Sequence, residues 1–268
     1  QLTDTPSSYS GHGNKYLKVK STEDGIEFST ISGGGGSTPV FIIDAPPETA
    51  HNLDDEFNDN SFSGWSVYNH TGNSSDLTIV EDSYGLTLRL DTTQTDKVLG
   101  IYKSLSGITY PITFFTKVGI FGLRDKNIKA GFVIFQNPTS PTGDFLFIQL
   151  NSIGYEAYQA IELFTSHDDT SYDIWINDNI GRLTTGVYLK LTIYQNGGSY
   201  YTIAGISTDG VGFIDFSSSN ALPFTPSAVG LAVRKSNLET GMGANFRFFR
   251  AKNEDWLSAR LGGRIAYV

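Results

Sequence analysis

Short strand-like segments separated by turn residues constrain the fold of this 268-residue chain more than any other feature. Leu86–Leu90 alternates apolar with polar residues, which is the period of a strand with one buried face. Phe132–Phe135 and Phe145–Leu150 are dense apolar runs, as in strands from the middle of a sandwich. No convincing amphipathic helix accompanies them. The pattern predicts an all-β fold, a sandwich of two antiparallel sheets.

The second half of the chain repeats this pattern. Tyr188–Tyr194 runs into Gln195–Gly198, which reads Gln-Asn-Gly-Gly and predicts a hairpin turn, and Tyr200–Ile203 returns. Val229–Arg234 and Asn245–Arg250 close the series. The chain contains no cysteine, and a chain of this length buries a full core without disulfides.

The charge of the chain argues against some partners. Nineteen basic and 28 acidic residues leave a formal net charge of −9, which disfavours binding to a nucleic-acid backbone. No run approaches the ~18 apolar residues of a membrane span, so we expect no membrane insertion. Only 18% of the residues are charged, whereas Ser, Thr, Asn, Gly and Tyr are plentiful. Such a surface of neutral hydrogen-bonding groups suits glycans or extensive protein contacts.

Residues 1–32 form a separate short block. Lys15–Lys20 alternates polar with apolar residues, Glu23-Asp24-Gly25 is a turn signal, and Ile26–Phe28 resumes the alternation. A hairpin this short buries few apolar side chains and is marginally stable by itself. The block therefore predicts association with other chains.

Three strings of this block have a specific residue pattern, namely Leu2–Gly11, Gly13–Val19 and Asp24–Phe28. Together they resemble a short module of bacteriophage tail-fibre and virion-spike proteins, in which it typically precedes a variable distal domain of a trimeric fibre. The resemblance implies a homotrimer that contacts other virion proteins through the N-terminal module. It also implies a place on the exterior of a phage particle assembled in the bacterial cytoplasm.

Composition divides the rest of the chain. Residues 33–46 combine a Gly-rich linker with the short apolar strand Val40–Ile43, and we expect residues 33–39 to act as a hinge. Residues 47–256 form the sandwich. Residues 257–268 are a C-terminal tail, in which Leu257–Leu261 is expected to form either one helical turn or an exchanged strand.

Several segments of the sandwich follow each other in a characteristic order: Asp55–Phe57, Gly64-Trp65, Leu86–Leu90, Tyr188–Tyr194, Tyr201–Ile206, Val229–Arg234 and Phe246–Arg250. This order resembles the concanavalin A-like lectin/glucanase jelly rolls. The resemblance implies a jelly roll preceded by a β-hairpin stalk module. Because that superfamily contains lectins, enzymes and structural modules, the fold by itself does not define an activity.

Enzymes of that superfamily place paired glutamates two or four residues apart on one strand, and glycoside hydrolysis needs two carboxyls within ~5–9.5 Å. This chain has no Glu-x-Asp-x-Glu string, and Glu156 and Glu162 on one strand would lie about 20 Å apart. Asp173, Trp175 and Asn177 occupy a similar place, but asparagine cannot act as the acid. No Gly-x-Ser-x-Gly elbow accompanies the four histidines. We therefore predict no catalytic residues and no enzymatic activity.

Glycan recognition is the favoured chemistry, because aromatic faces, Asp, Asn and backbone amides bind sugars. Two segments have this composition, and their candidate ligands are Asp168, Asp169, Tyr172, Trp175 and Asn177 in one and Trp65 and Tyr68 in the other. Of the first group, Asp168, Asp169, Tyr172 and Trp175 are expected in a loop between strands that end near Phe164 and begin near Tyr188. Two alternatives stay open: Trp65 is a core residue, and Asp168-Asp169 is a solvated turn.

No cofactor is predicted, although a structural calcium ion remains an alternative. Calcium binds six to eight oxygens, which Asp168, Asp169 and Asp173 could contribute, as could the run Asp54-Asp55-Glu56. No loop has the strict calcium-loop pattern, and the four histidines are too scattered for zinc.

Three functions compete. The favoured one is a non-catalytic phage fibre or spike subunit whose sandwich binds a host-surface polysaccharide. The alternative is a structural head or tail decoration protein that packs on other virion proteins. The third and least favoured is a depolymerase that degrades the host's glycan, because the carboxylate pair is missing.

Overall fold

The structure is a computed structural model. It describes residues 15–19, 26–30, 39–42, 50–82, 85–121, 128–139, 145–153, 158–167, 171–182, 186–210, 212–217, 221–236, 238, 240–253 and 264–267. The chain divides into two compact units, one containing Gln1–Ala45 with Gly263–Val268 and the other containing Pro46–Gly262.

The first unit contains two antiparallel strand pairs. β1 (Lys15–Val19) pairs with β2 (Ile26–Thr30), which confirms the N-terminal hairpin. β3 (Pro39–Ile42) pairs with β18 (Arg264–Tyr267). The end of the tail therefore pairs with the short strand near the other end of the same chain. Residues 257–261, for which a helical turn or an exchanged strand is expected, lie outside the described residues. The predicted hinge, apart from Pro39, lies outside the described residues.

The second unit is a sandwich of two seven-stranded antiparallel sheets. In hydrogen-bonded order, sheet I consists of β12 (Ser171–Arg182), β11 (Tyr158–His167), β10 (Phe145–Ile153), β9 (Ile128–Phe135), β16 (Ala228–Lys235), β7 (Val98–Ser104) and β4 (Ser66–Asn69). Sheet II consists of β15 (Ile214–Ser217), β14 (Ser199–Ser207), β13 (Val187–Asn196), β8 (Ile112–Phe121), β17 (Met242–Lys252), β6 (Gly85–Leu90) and β5 (Leu77–Asp82). The predicted all-β sandwich is confirmed.

Strand β9 shows why the middle of the sandwich has continuous apolar sequence. Phe132 and Ile134 belong to the main core between the sheets, whereas Val133 and Phe135 belong to a second cluster. Because successive side chains of a strand point to opposite faces, both faces of β9 are buried. Burying each such side chain contributes about 1.5–3 kcal/mol.

The turn between β13 and β14 forms at the predicted residues. Asn196 pairs with Ser199, and the two residues between them, Gly197 and Gly198, have φ values of 58° and 85°. A two-residue turn of this type needs positive φ at both positions, which glycine adopts without strain.

Helical structure is nearly absent from the described residues. They contain one 3₁₀ turn, Ser74–Asp76, and no α-helix. No helix in this part of the chain has the length and hydrophobicity needed to cross a membrane.

Candidate functional site

Trp65 is a core residue and does not present a sugar-binding face. Its side chain is 8% exposed, and its ring lies 5.7 Å from that of Phe57 and 5.0 Å from that of Phe249 between centroids. Lys103 Nζ covers the ring at 4.6 Å, and the indole N–H donates to Asp55 Oδ2. This placement corrects the interpretation of Trp65 as a glycan ligand.

Tyr68 is 3% exposed and belongs to the second apolar cluster. Its ring lies 4.4 Å from that of Phe135, centroid to centroid. Tyr68 therefore cannot stack a sugar on a free ring face, as the sequence interpretation had assumed. Tyr68 instead forms part of the wall of a groove that is described below.

The remaining predicted ligands lie in or next to an edge strand instead of a loop. Tyr172, Trp175 and Asn177 are in β12, at the end of sheet I. The loop prediction for Tyr172 and Trp175 is wrong, because β12 pairs with β11 along most of its length. Asp168 and Asp169 lie outside the described residues.

A β-bulge interrupts the pairing at Trp175. Leu163 pairs with Ile176 and Phe164 with Ile174, so Trp175 is the extra residue between two ladder pairs. A bulge breaks the period-two alternation of a strand. The shared face predicted for Asp173, Trp175 and Asn177 therefore does not follow from their spacing.

The acidic run Asp54-Asp55-Glu56 ties the start of the sandwich to β17. Asp54 Oδ1 accepts from the Ala251 N–H at 2.7 Å, and the Asp55 backbone pairs with Phe249. Glu56 holds Arg250 through two 2.7 Å contacts. The three carboxylates thus accept hydrogen bonds from protein donors at this junction.

Burial changes the ionisation of two groups at this junction. Desolvation raises the pKa of Asp54, although the backbone N–H groups of Ala251 and His51 partly offset it. Desolvation lowers the pKa of Lys103, opposed by the charges of Asp55 and Asp54. Lys103 also donates to the Leu53 carbonyl at 3.0 Å. The junction is a structural network rather than an open site.

A groove at the edge of the sandwich formed by β4 and β5 has the volume of a ligand site. It encloses about 640 Å³, within the usual range for ligand pockets. Its lining residues, which define the edge groove, are Val67, Tyr68, Asn69, Gly72, Ser74, Leu77, Ile79, Tyr102, Pro138 and Thr139. β4 and β5 contribute five of these residues, and each of these strands is the last strand of its sheet.

Two glycines allow β7 and β16 to approach closely beside the edge groove. Gly100 of β7 pairs with Tyr68, and Gly230 of β16 pairs with Tyr102. A Cβ on Gly100 would collide with the Leu231 carbonyl, and one on Gly230 with the Ile101 carbonyl. The close approach of these two strands therefore requires glycine at both positions.

The segment between β4 and β5 is held by its own side chains. Asn69 Nδ2 donates to the Asn73 carbonyl at 2.7 Å, and Asn69 Oδ1 accepts from the Thr71 N–H and hydroxyl. The Asn73 side chain accepts from the Ser75 N–H and caps the 3₁₀ turn. These local bonds give the groove a preformed rim.

The described residues that line the edge groove include no carboxyl, amino, guanidinium or imidazole group. The neighbouring carboxyl on the same side of β5, Glu81, is buried and accepts from the Asp59 N–H at 3.0 Å. Burial raises the pKa of Glu81. The described lining can therefore hold a ligand through apolar contact and neutral hydrogen-bonding groups.

Sequence reasoning missed the edge groove because its walls come from different sheets. In Gly64–His70 the sequence pattern indicates only Trp65 and Tyr68 as glycan ligands, and it does not indicate Tyr102 or Thr139. One signal was present: the sequence Asn69-His70-Thr71-Gly72-Asn73 is rich in residues that form Asx turns. Such a segment between two strands can shape a binding rim.

Comparison with solved structures finds the same fold at low sequence identity. An engineered GH43 glycoside hydrolase with endo-xylanase and exo-arabinofuranosidase activity superposes with a TM-score of 0.55 and 14% identity, covering 88% of this chain and 48% of the enzyme. A bifunctional GH43-CE protein of Bacteroides eggerthii gives 0.52 and 15%, covering 75% of this chain and 26% of that protein. This chain thus spans about half or less of the length of these two enzymes.

A third similar structure is the CBM2 module of the evolved Dit protein of Lactobacillus casei BL23 phage J-1. It has a TM-score of 0.51 and 10% identity, and the match covers 76% of this chain and 96% of the module. No protein-family model matches the chain, and no curated protein does either. At these identities the likeness shows the fold alone.

Proposed function

We propose that this chain is a subunit of a bacteriophage fibre or spike, and that its sandwich binds a host-surface glycan without catalysis. The observation that carries the proposal is the edge groove: a preformed cleft with apolar walls, a half-buried tyrosine and hydroxyl groups at its rim. Sugars bind to such sites through their apolar C–H faces and their hydroxyl groups.

The lining of the groove supports binding over hydrolysis. Hydrolysis of a glycosidic bond needs two carboxyls on either side of that bond, and none of the lining residues carries one. Two of the similar structures are described as glycoside hydrolases or as containing one. Another similar structure is a CBM2 module of a phage protein, of which the match covers 96%.

The N-terminal hairpin supports the fibre assignment through its resemblance to phage fibre modules. Three copies on one stalk would present three edge grooves, and tethering raises the effective concentration of weak sites. We propose that the subunit is a homotrimer on the exterior of the virion and contacts other virion proteins through the first block. Tyr172, Trp175 and Asn177 of β12, together with Asp168 and Asp169, remain a proposed second contact with glycan.

Glycan-array binding of the full chain tests the proposal. Tyr102 is half-buried and lines the groove, so Tyr102→Ala should weaken binding by about 1–3 kcal/mol, the usual contribution of an aromatic stacking partner. Tyr194→Ala is the matched control, because Tyr194 is also half-buried but stacks on Tyr201 in sheet II. Binding that is absent, or that Tyr102→Ala leaves unchanged, contradicts the proposal; release of reducing sugar contradicts its non-catalytic part.

A further inference from the structure

The lining of the edge groove combines two chemically different sets of side chains. One is aliphatic, with Val67 on β4 and Leu77 and Ile79 on β5. The other bears hydroxyl groups, including those of Tyr102 and Thr139. This difference selects among sugars, because the two sets demand different groups from a ligand.

The aliphatic set disfavours a sugar hydroxyl. Valine, leucine and isoleucine side chains neither donate nor accept hydrogen bonds. A hydroxyl pressed against them loses water without gaining a partner. A methyl group at the same place loses nothing and gains burial against apolar surface.

The groove also disfavours a charged sugar. Its lining contains no basic residue that could pair with a carboxylate or phosphate, and burying an unpaired charge is costly. The net charge of −9 further opposes the approach of an anion. A neutral ligand meets neither obstacle.

We infer that the edge groove recognises a neutral sugar that carries a methyl group, and that this methyl contacts Val67, Leu77 and Ile79. The C6 methyl of a 6-deoxyhexose and the methyl of an N-acetyl group are the two common sources of this chemistry. The inference rests on the proposed function and specifies the class of its ligand.

Matched probe pairs test the inference on the full chain. Methyl α-L-rhamnoside and methyl α-L-mannoside differ only in the C6 hydroxyl, and N-acetylglucosamine and glucose differ only at C2. Glucuronic acid tests charge. We expect at least one methyl-bearing probe to bind about tenfold more tightly than its partner, and glucuronic acid to bind more weakly than glucose.

Two surface valines provide a matched pair of variants. Val67 is 49% exposed and lines the groove, whereas Val80 is 47% exposed on β5 and does not. Val67→Thr keeps the shape of the side chain but replaces a methyl with a hydroxyl, so it should reduce the preference for the methyl-bearing probe several-fold. Val80→Thr should leave that preference unchanged. Because both side chains are half exposed, both variants should melt close to the unmodified protein.

The outcomes separate the inference from the proposed function. If glycans bind and Tyr102→Ala weakens them, but hydroxylated or acidic partners bind as well as methyl-bearing ones, the inference is wrong and the proposed function stands. The same conclusion follows if Val67→Thr and Val80→Thr behave alike. If no glycan binds at all, the proposed function fails and the inference fails with it.

Discussion

Replacing Glu56 with glutamine should destabilise the sandwich strongly. Arg250 is 1% exposed, and its Nε and Nη2 atoms each contact a Glu56 oxygen at 2.7 Å. Glu56→Gln keeps the size of the side chain but removes the negative charge opposite a buried guanidinium. Breaking a buried pair from one side costs about 3–5 kcal/mol.

The partial exposure of Glu56 places the expected loss of unfolding free energy at the lower end of this range. Its side chain is 22% exposed, so water partly replaces the lost charge. A loss of about 3 kcal/mol corresponds to a fall in Tm of about 6–12 °C for a domain of this size. Urea unfolding, followed by circular dichroism, measures the free energy directly.

The exposed pair of Arg89 and Asp91 supplies the control. Their side chains are 47% and 26% exposed, and exposed pairs contribute about 1 kcal/mol or less. Arg89→Gln should therefore change the free energy of unfolding little. If the free energy of unfolding of Glu56→Gln lies within about 1 kcal/mol of that of the unmodified protein, the structural role of the pair is refuted. If the two proteins differ in stability only when calcium is added, Glu56 is a metal ligand instead.

Three further predictions follow from the same structure. Trp65→Ala should lower the free energy of unfolding by roughly 3–5 kcal/mol without a specific loss of glycan binding. If the variant and the unmodified protein melt at similar temperatures, Trp65 is not a core residue. If β12 is a second contact with glycan, Trp175→Ala should weaken glycan binding by about 1–3 kcal/mol with little change in Tm. A large fall in Tm would instead indicate that Trp175 is a core residue. Burial raises the pKa of Tyr110 to about 12, so the unfolded chain loses the phenol proton at a lower pH than the folded protein does. The free energy of unfolding should therefore fall as the pH rises from about 10 to 12. In unfolding measurements over this pH range, Tyr110→Phe should lose less stability than the unmodified protein.

The strands with the strongest patterns could be predicted from the sequence. Leu86–Leu90 lies within β6, and the Gly197-Gly198 turn forms where a positive φ is required. These features depend on local chemistry, namely alternation and the freedom of glycine. The sequence interpretation of the sandwich depended on such local signals.

Strand β12 was harder to recognise, because its sequence, Ser-Tyr-Asp-Ile-Trp-Ile-Asn-Asp-Asn-Ile-Gly-Arg, is rich in polar residues. A strand at the edge of a sheet pairs on one side only, and charged or polar edges discourage aggregation. The same composition is typical of binding loops. Polarity alone therefore could not separate an edge strand from a recognition loop.

The edge groove and the burial of Trp65 depend on contacts between distant residues. Val67 and Tyr102 come from neighbouring strands of sheet I, whereas Ile79 belongs to sheet II. Which strands end each sheet is a property of the whole topology. The sequence around Trp65 is likewise compatible with a binding site and with the core. The Phe249 ring, whose centroid lies 5.0 Å from that of the Trp65 ring, comes from a distant part of the chain.

Methyl-resolved NMR of the chain, labelled at Ile, Leu and Val, tests the central claim most directly. On addition of the best-binding methyl-bearing sugar, we expect the methyl signals of Val67, Leu77 and Ile79 to shift. Those of Val80 and Ile214, which are exposed but do not line the groove, should stay in place. Binding that shifts none of the three groove residues would contradict the claim that the edge groove is the glycan site.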